Sequence, residues 1–217
     1  MILSPGRRYA FVHIPKTGGT ALALALEARA MKDDILIGDT PKAQRRKARL
    51  KTLTAPGRLW KHSRLRDVEG AVDMTGWRIF TLVRNPWDRL VSYYHWLRVQ
   101  SFDHPAVALA GAHDFSGFLN QPHTQASIAA QPYASYVTDS AGVLRATDFV
   151  RLEAFAADMA PVFAHLGFSI DLPRANASAR ARDWRGYYSA ADAALVARLC
   201  AADIARFGYR FDPGEVG

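Results

Sequence analysis

The stretch Tyr9–Thr20, YAFVHIPKTGGT, limits the folds open to this chain more than any other. An apolar run rich in β-formers stops at a proline. A lysine, two glycines and two threonines follow, and the chain then enters TALALALEARAM, a run of strong helix formers. Strand, glycine turn and helix together open an α/β unit, and they also form the geometry that binds phosphate. The first amides of a helix have no intrahelical partner, and the helix dipole adds partial positive charge there. Gly18 and Gly19 let backbone close around an anion because no Cβ blocks the approach. Thr17 and Thr20 are expected to add hydroxyl donors, and Lys16 to place a full positive charge at the mouth of the loop. The plainer alternative is a lysine in an ordinary βα turn capped by threonine. A Walker A loop is excluded, because G-x-x-x-x-G-K-[ST] puts its lysine after the second glycine and Lys16 precedes both.

Further strands are expected at 77–83 (WRIFTLV) and 146–152 (ATDFVRL), with a short one at 58–62. Helices are expected over 20–31, from Pro86 to about Gln100, over 153–166 with a kink at Pro161, and from a Ser189 cap to about Phe207. Residues 101–145 read as short helices and loops. Strands alternating with helices imply an α/β fold with a mostly parallel central sheet flanked by helices. With 217 residues and neither repeat nor low-complexity linker, one domain over 1–217 is expected.

Hydrophobic residues make up 49% and charged residues 22%, ordinary for a globular chain. No apolar run approaches the roughly 18 residues of a membrane span. The N-terminus has no apolar core between a basic start and a cleavage site, so no secretory signal is expected. Cys200 is the lone cysteine, which rules out an internal disulfide and makes the cytoplasm the expected location. Heavy Ala and Arg usage suggests a GC-rich, bacterial genome. A net charge of +8 favours an anionic partner. Much of the excess lies in Lys42–Arg66, readable as a nucleic-acid arm or as a basic rim on an anion-binding cleft.

The second constellation is TLVRNPWDRLVSYYHWLR. Arg84 ends the second confident strand, where ligands gather in open α/β sheets, and Ser92 lies two helical turns further on. Arg84 can grip a phosphate bidentately. Alternatively, Arg84 pairs with Asp88 and Ser92 is a buried helix serine. The aromatics Trp87, Tyr93, Tyr94 and Trp96 are expected to pack in the core against the sheet rather than to stack on a ligand.

Together the two stretches resemble the sulfotransferases that use 3′-phosphoadenosine 5′-phosphosulfate (PAPS). HIPKTGGT resembles the family's 5′-phosphosulfate loop, nearest to the carbohydrate-type branch, and LVRNPWDRLVSYY resembles its 3′-phosphate motif. The likeness continues through FVRLEAF, LPRANAS, a GYY and DIARFGYRF, and so covers most of the chain. One departure is Ala21, where that branch usually carries serine and gains one more hydroxyl donor. The resemblance implies a three-layer fold of the P-loop-kinase-like sulfotransferase type. It implies a donor held by Lys16, Thr17, Gly18, Gly19, Thr20 and Ala21 at its 5′ end and by Arg84 and Ser92 at its 3′-phosphate, with Lys16 steadying the leaving phosphate. No metal is implied. The acceptor is a hydroxyl, expected on a carbohydrate and contacted by residues 101–145.

The base that takes the acceptor proton is expected to be a histidine. His62, in WKHSRLR, is the candidate, since the family often carries its catalytic histidine in a similar stretch. His13 is expected to be structural and His95 to pack, while His104, His113 and His123 fall in the acceptor region. His165 is expected at a helix C-terminus. Glu153 is the candidate carboxylate. Arg180, Arg182 and Arg185 lie in a late loop from which one could reach the nucleotide. A nucleotide kinase-like phosphotransferase and a basic nucleic-acid-binding module are the competing functions. The oligomeric state is not legible.

Overall fold

The computed structural model describes residues 1–172, 181 and 183–212. In chain order its elements are β1 (Ile2–Ser4), β2 (Tyr9–Val12), α1 (Gly19–Ala28), β3 (Ile35–Leu36), α2 (Pro41–Arg46), β4 (Arg78–Val83) and α3 (Pro86–Leu97). They continue with α4 (Pro105–Ala112), α5 (Phe115–Leu119), α6 (Pro122–Ala129), β5 (Asp148–Arg151), α7 (Phe155–Leu166), α8 (Ala190–Leu199) and α9 (Ala201–Phe207). Contacts divide them into two compact units. One holds Met1–Val83 and the chain from Tyr133 to Leu172. The other holds Arg84–Pro132 and the chain from Asp183 to Asp212.

The first unit is α/β. Its five strands lie in the order β3-β1-β2-β4-β5. β2, β4 and β5 pair in parallel, and β1 is antiparallel to both of its neighbours. Four of the five strands therefore run in one direction, which is the mostly parallel sheet the alternation of elements predicts. Tyr9, Phe11, Phe80, Leu82 and Val150 form one buried face with Leu22 and Leu26 of α1 and Met159, Val162 and Leu166 of α7. The intervening Ala10, Val12, Ile79 and Val83 are buried too. With both faces covered, the strands read as continuous apolar runs rather than as alternations. Polar ties fix the register. Thr81 Oγ1 donates to the Val12 carbonyl at 2.7 Å. The Arg78 guanidinium holds both oxygens of Asp148 at 2.8 and 2.6 Å, joining the starts of β4 and β5.

The second unit is helical among its described residues. Its core joins Trp87, Leu90, Val91, Tyr94 and Leu97 of α3 to Phe115, Phe118 and Val196. The Trp87 indole donates to the Ala193 carbonyl at 3.0 Å. The α3 aromatics thus pack as expected, but against helices and late-loop aromatics such as Trp184 and Phe211 rather than against the sheet.

Three local expectations are corrected. Residues 58–62 form a turn, not a strand, because Ser63 folds back on them, its Oγ donating to the Arg58 and Trp60 carbonyls at 2.8 Å each. The last helix is two helices, broken at Cys200, whose non-helical backbone (φ −108°, ψ 20°) ends α8 and starts α9. Strands β1 and β3 were not anticipated. They extend the sheet beyond β2 through a turn at Pro5–Arg8, in which Arg8 takes φ 51° and its amide donates to the Pro5 carbonyl at 3.2 Å.

Candidate active site

The loop between β2 and α1 turns sharply from a buried strand end into a helix start. Lys16 sits in the left-handed region at φ 65°, an uncommon conformation for a residue with a Cβ, and Gly18 follows at φ 88°. Gly18 caps α1 without a side-chain hydrogen bond of its own. Gly19 has no room for anything larger, since a Cβ there would lie 2.1 Å from His13 Cδ2. Thr17 is fully buried, and its hydroxyl donates to the Ile14 carbonyl at 2.9 Å. The hydroxyl expected to add a donor toward an anion instead ties the loop to itself. The Ala21 amide donates to the Gly18 carbonyl at 3.1 Å. The first-turn amides of Gly19 and Thr20 are those that a helix leaves without intrahelical acceptors.

His13 and His62 stand beside this loop. The rings meet edge to face with centroids 4.6 Å apart. His62 Nδ1 lies 2.8 Å from the His13 carbonyl oxygen. A carbonyl only accepts, so Nδ1 carries the hydrogen and Nε2 of the neutral ring is left as an acceptor. Burial is the main cause that pulls the His62 pKa down to about 4, and Lys61 adds to it. Burial likewise holds His13 well below the usual imidazole range. The pair is therefore neutral at pH 7, and His62 has the tautomer a base acting through Nε2 needs.

Both depressed pKa values make stability depend on pH. The unfolded chain, with histidines near 6.5, takes up protons between pH 6.5 and 4 while the folded site resists them. Stability is then full above pH 6.5 and falls as pH drops through this window, by about 3 kcal/mol for a shift of this size. Urea midpoints taken from pH 7.5 to 4 are expected to show the decline, and His62→Gln should lessen it while leaving the part due to His13. Midpoints that do not move with pH would contradict the buried neutral pair.

The basic segment divides in two. Lys42 donates to the Glu27 carbonyl, Arg46 to the Met31 carbonyl at 2.7 Å, and Arg49 to the Lys32 carbonyl. Arg7 from the β1–β2 turn joins them on the Arg29 carbonyl at 2.9 Å. These cations gather at the C-terminal end of α1, where a helix favours positive charge. That end is about 15 Å along the ten-residue helix from the loop. Lys42, Arg46 and Arg49 are thus engaged at the far end of α1 from the loop. In the later half, His62 stands beside His13 next to the loop, while Lys61 pairs with Asp39.

Arg84 and Ser92 belong to the second unit. The Arg84 guanidinium holds Asp88 Oδ2 at 2.8 Å through Nε and 2.7 Å through a terminal nitrogen. Ser92 is buried on α3. This is the arrangement that the alternative reading of the spacing describes. Glu153 lies in the 3-10 turn Leu152–Ala154 directly after β5. His165 lies in the last turn of α7, as expected, and its Nε2 is 2.8 Å from the Arg7 carbonyl, to which it donates. His104 caps α4, its Nδ1 accepting from the Ala106 amide at 3.1 Å. His95 packs edge to face on Tyr187 at 5.2 Å. Arg185 is paired with Asp183 and Asp212 at 2.9 and 3.2 Å. Arg180 and Arg182 lie outside the described residues. Among the described residues no group of His, Cys, Asp and Glu is placed to hold a metal ion, and no helix is long and apolar enough to cross a membrane.

The chain matches no protein-family model and no curated protein. Among solved structures it is similar to mouse sulfotransferase SULT7A1 complexed with PAP, at 15% identity and a TM-score of 0.49, over 93% of this chain and 86% of that one.

Proposed function

We propose that this chain is a sulfotransferase that moves a sulfuryl group from PAPS to a hydroxyl of a carbohydrate in the cytoplasm. The observation that carries the reading is the β2–α1 loop, with its uncapped helix start, Lys16 at its mouth, and a neutral, oriented His62 one ring away. The first-turn amides hold the 5′-phosphate. The acceptor oxygen attacks sulfur in line, its new O–S bond forming as the bond from sulfur to the phosphate oxygen breaks. The acceptor proton passes to His62 Nε2, and adenosine 3′,5′-bisphosphate leaves, its charge met by Lys16. As in phosphoryl transfer, the protein positions groups and stabilises charge. Arg84 and Ser92 hold the 3′-phosphate. The Asp88 carboxylate, one helical turn on, orients the Arg84 guanidinium. Both units are assigned to one sulfotransferase domain over 1–217. A nucleotide kinase is not favoured. The lysine precedes the glycines, and β4 leads into Arg84-Asn85-Pro86 with no acidic residue for Mg²⁺.

Isothermal titration tests this reading. Adenosine 3′,5′-bisphosphate is expected to bind at least about tenfold more tightly than AMP or ATP. Arg84→Ala is expected to weaken it by about 10- to 100-fold, the worth of a charge-assisted pair. Equal binding of ATP, or no effect of Arg84→Ala, would overturn the reading.

A further inference from the structure

The turn that carries His62 presents a second side chain that the transfer chemistry does not use. Trp60 is 43% exposed, although a tryptophan is usually drawn into a core. It is nevertheless held firmly. Its amide donates to Ser63 Oγ at 2.8 Å, and its carbonyl accepts from the Ser63 amide at 2.9 Å. Ser63 is itself fully buried. The indole meets the His62 ring edge to face, centroids 5.1 Å apart and planes at 89°. The Arg58 guanidinium carbon lies 5.5 Å from the indole centroid. Lys61, between Trp60 and His62, is paired with Asp39 at 2.6 Å, and residues 58–66 contain no acidic side chain. A rigid turn thus shows outward an aromatic surface with a guanidinium beside it, one ring from the base.

We infer that Trp60 and Arg58 form the acceptor platform, and that the acceptor is an anionic saccharide whose sugar ring lies against the indole and whose carboxylate or sulfate pairs with Arg58. This rests on the reading of His62 as the base. The indole supplies an apolar face at low entropic cost, as aromatic contacts do at binding surfaces. The planar guanidinium matches a carboxylate or sulfate bidentately, which a neutral sugar cannot exploit. Trp60 acts as a positioning residue: it sets where the acceptor hydroxyl stands relative to His62 Nε2 and takes no proton itself.

The test measures binding without turnover. Parent, Trp60→Ala, Trp60→Phe and Arg58→Gln proteins are titrated with a heparosan hexasaccharide, which carries carboxylates, and with a neutral chitohexaose. Each protein is titrated in parallel with adenosine 3′,5′-bisphosphate. The parent is expected to bind the acidic hexasaccharide at least tenfold more tightly than the neutral one. Trp60→Ala should weaken that binding by tenfold or more, Trp60→Phe by less, and Arg58→Gln should erase the preference for the acidic sugar. Nucleotide affinity should stay within twofold in all four. Failure of the parent to bind the acidic hexasaccharide, or unchanged affinity in Trp60→Ala, overturns the proposal. So does a Trp60→Ala protein whose only change is a His62 pKa returned toward 6.5, for then the indole merely shields the histidine from water. Loss of nucleotide binding in the parent with saccharide binding intact would instead count against the sulfotransferase reading and leave the platform standing.

Discussion

A Lys16→Ala protein is expected to turn over about 10²–10³-fold more slowly than the parent, while its affinity for adenosine 3′,5′-bisphosphate falls by less than about tenfold. The asymmetry follows from when the lysine acts. In the proposed reaction the first-turn amides of α1 meet the 5′-phosphate in the bound state and in the transition state alike. A lysine at the mouth of the loop matters most as charge gathers on the departing phosphate, and an interaction that strengthens only there lowers kcat rather than binding. The loop should survive the change. Thr17 staples it to Ile14, and alanine bears much the same penalty as lysine at φ 65°. Lys16→Arg is expected to restore little, because a planar guanidinium does not replace a compact ammonium in a tight turn. Single-turnover rates with a fixed acceptor, beside nucleotide titration, separate the two effects. A Lys16→Ala protein with ordinary turnover would remove the lysine from the chemistry.

Much of this site was legible because its determinants are local. β2, the glycine loop and α1 follow from consecutive residues, and so do Pro86 at the first turn of α3 and the Ser189 cap of α8. What was missed depends on distant partners. Residues 58–62 read as a strand from composition, yet Ser63, three residues after Trp60, closes them into a turn. β1 is too short to show a period, and its signal was the Pro5-Gly6 pair between two apolar runs, the mark of a tight turn. Lys42, Arg46 and Arg49 looked like a face for a partner, but their acceptors are carbonyls at and just beyond the end of α1 that no sequence pattern announces. The Thr17 hydroxyl faced the same ambiguity and resolved inward. The proximity of His62 to His13, 49 residues apart, is a tertiary fact. The family resemblance pointed to His62, but its tautomer required coordinates.

The same proximity makes Gly19 the position least able to change. In a free-standing helix, alanine for glycine near the start would stabilise by up to about 1 kcal/mol. Here the sign is expected to reverse. The new Cβ would lie 2.1 Å from Cδ2 and 2.5 Å from Nε2 of His13. That ring is 5% exposed, stacked on Phe11 at 5.9 Å and edge-on to His62, so it has no empty space to enter. Overpacking of this kind costs about 1–3 kcal/mol. It should also cost catalysis, because moving His13 moves the carbonyl that fixes the His62 tautomer. Gly18→Ala provides the contrast. It is strained at φ 88° and meets only a Leu152 methyl at 3.0 Å, so it should lose stability while leaving the acid limb of kcat/KM in place. Pairing Gly19→Ala with His13→Ala should recover part of the stability lost by the first change, a coupling of contacting residues, without recovering turnover. Urea unfolding of the four proteins, with pH–rate profiles for the active ones, reads both effects. A Gly19→Ala protein more stable than the parent would show that the histidine does not rest on the loop, and the route from loop to base would have to be abandoned.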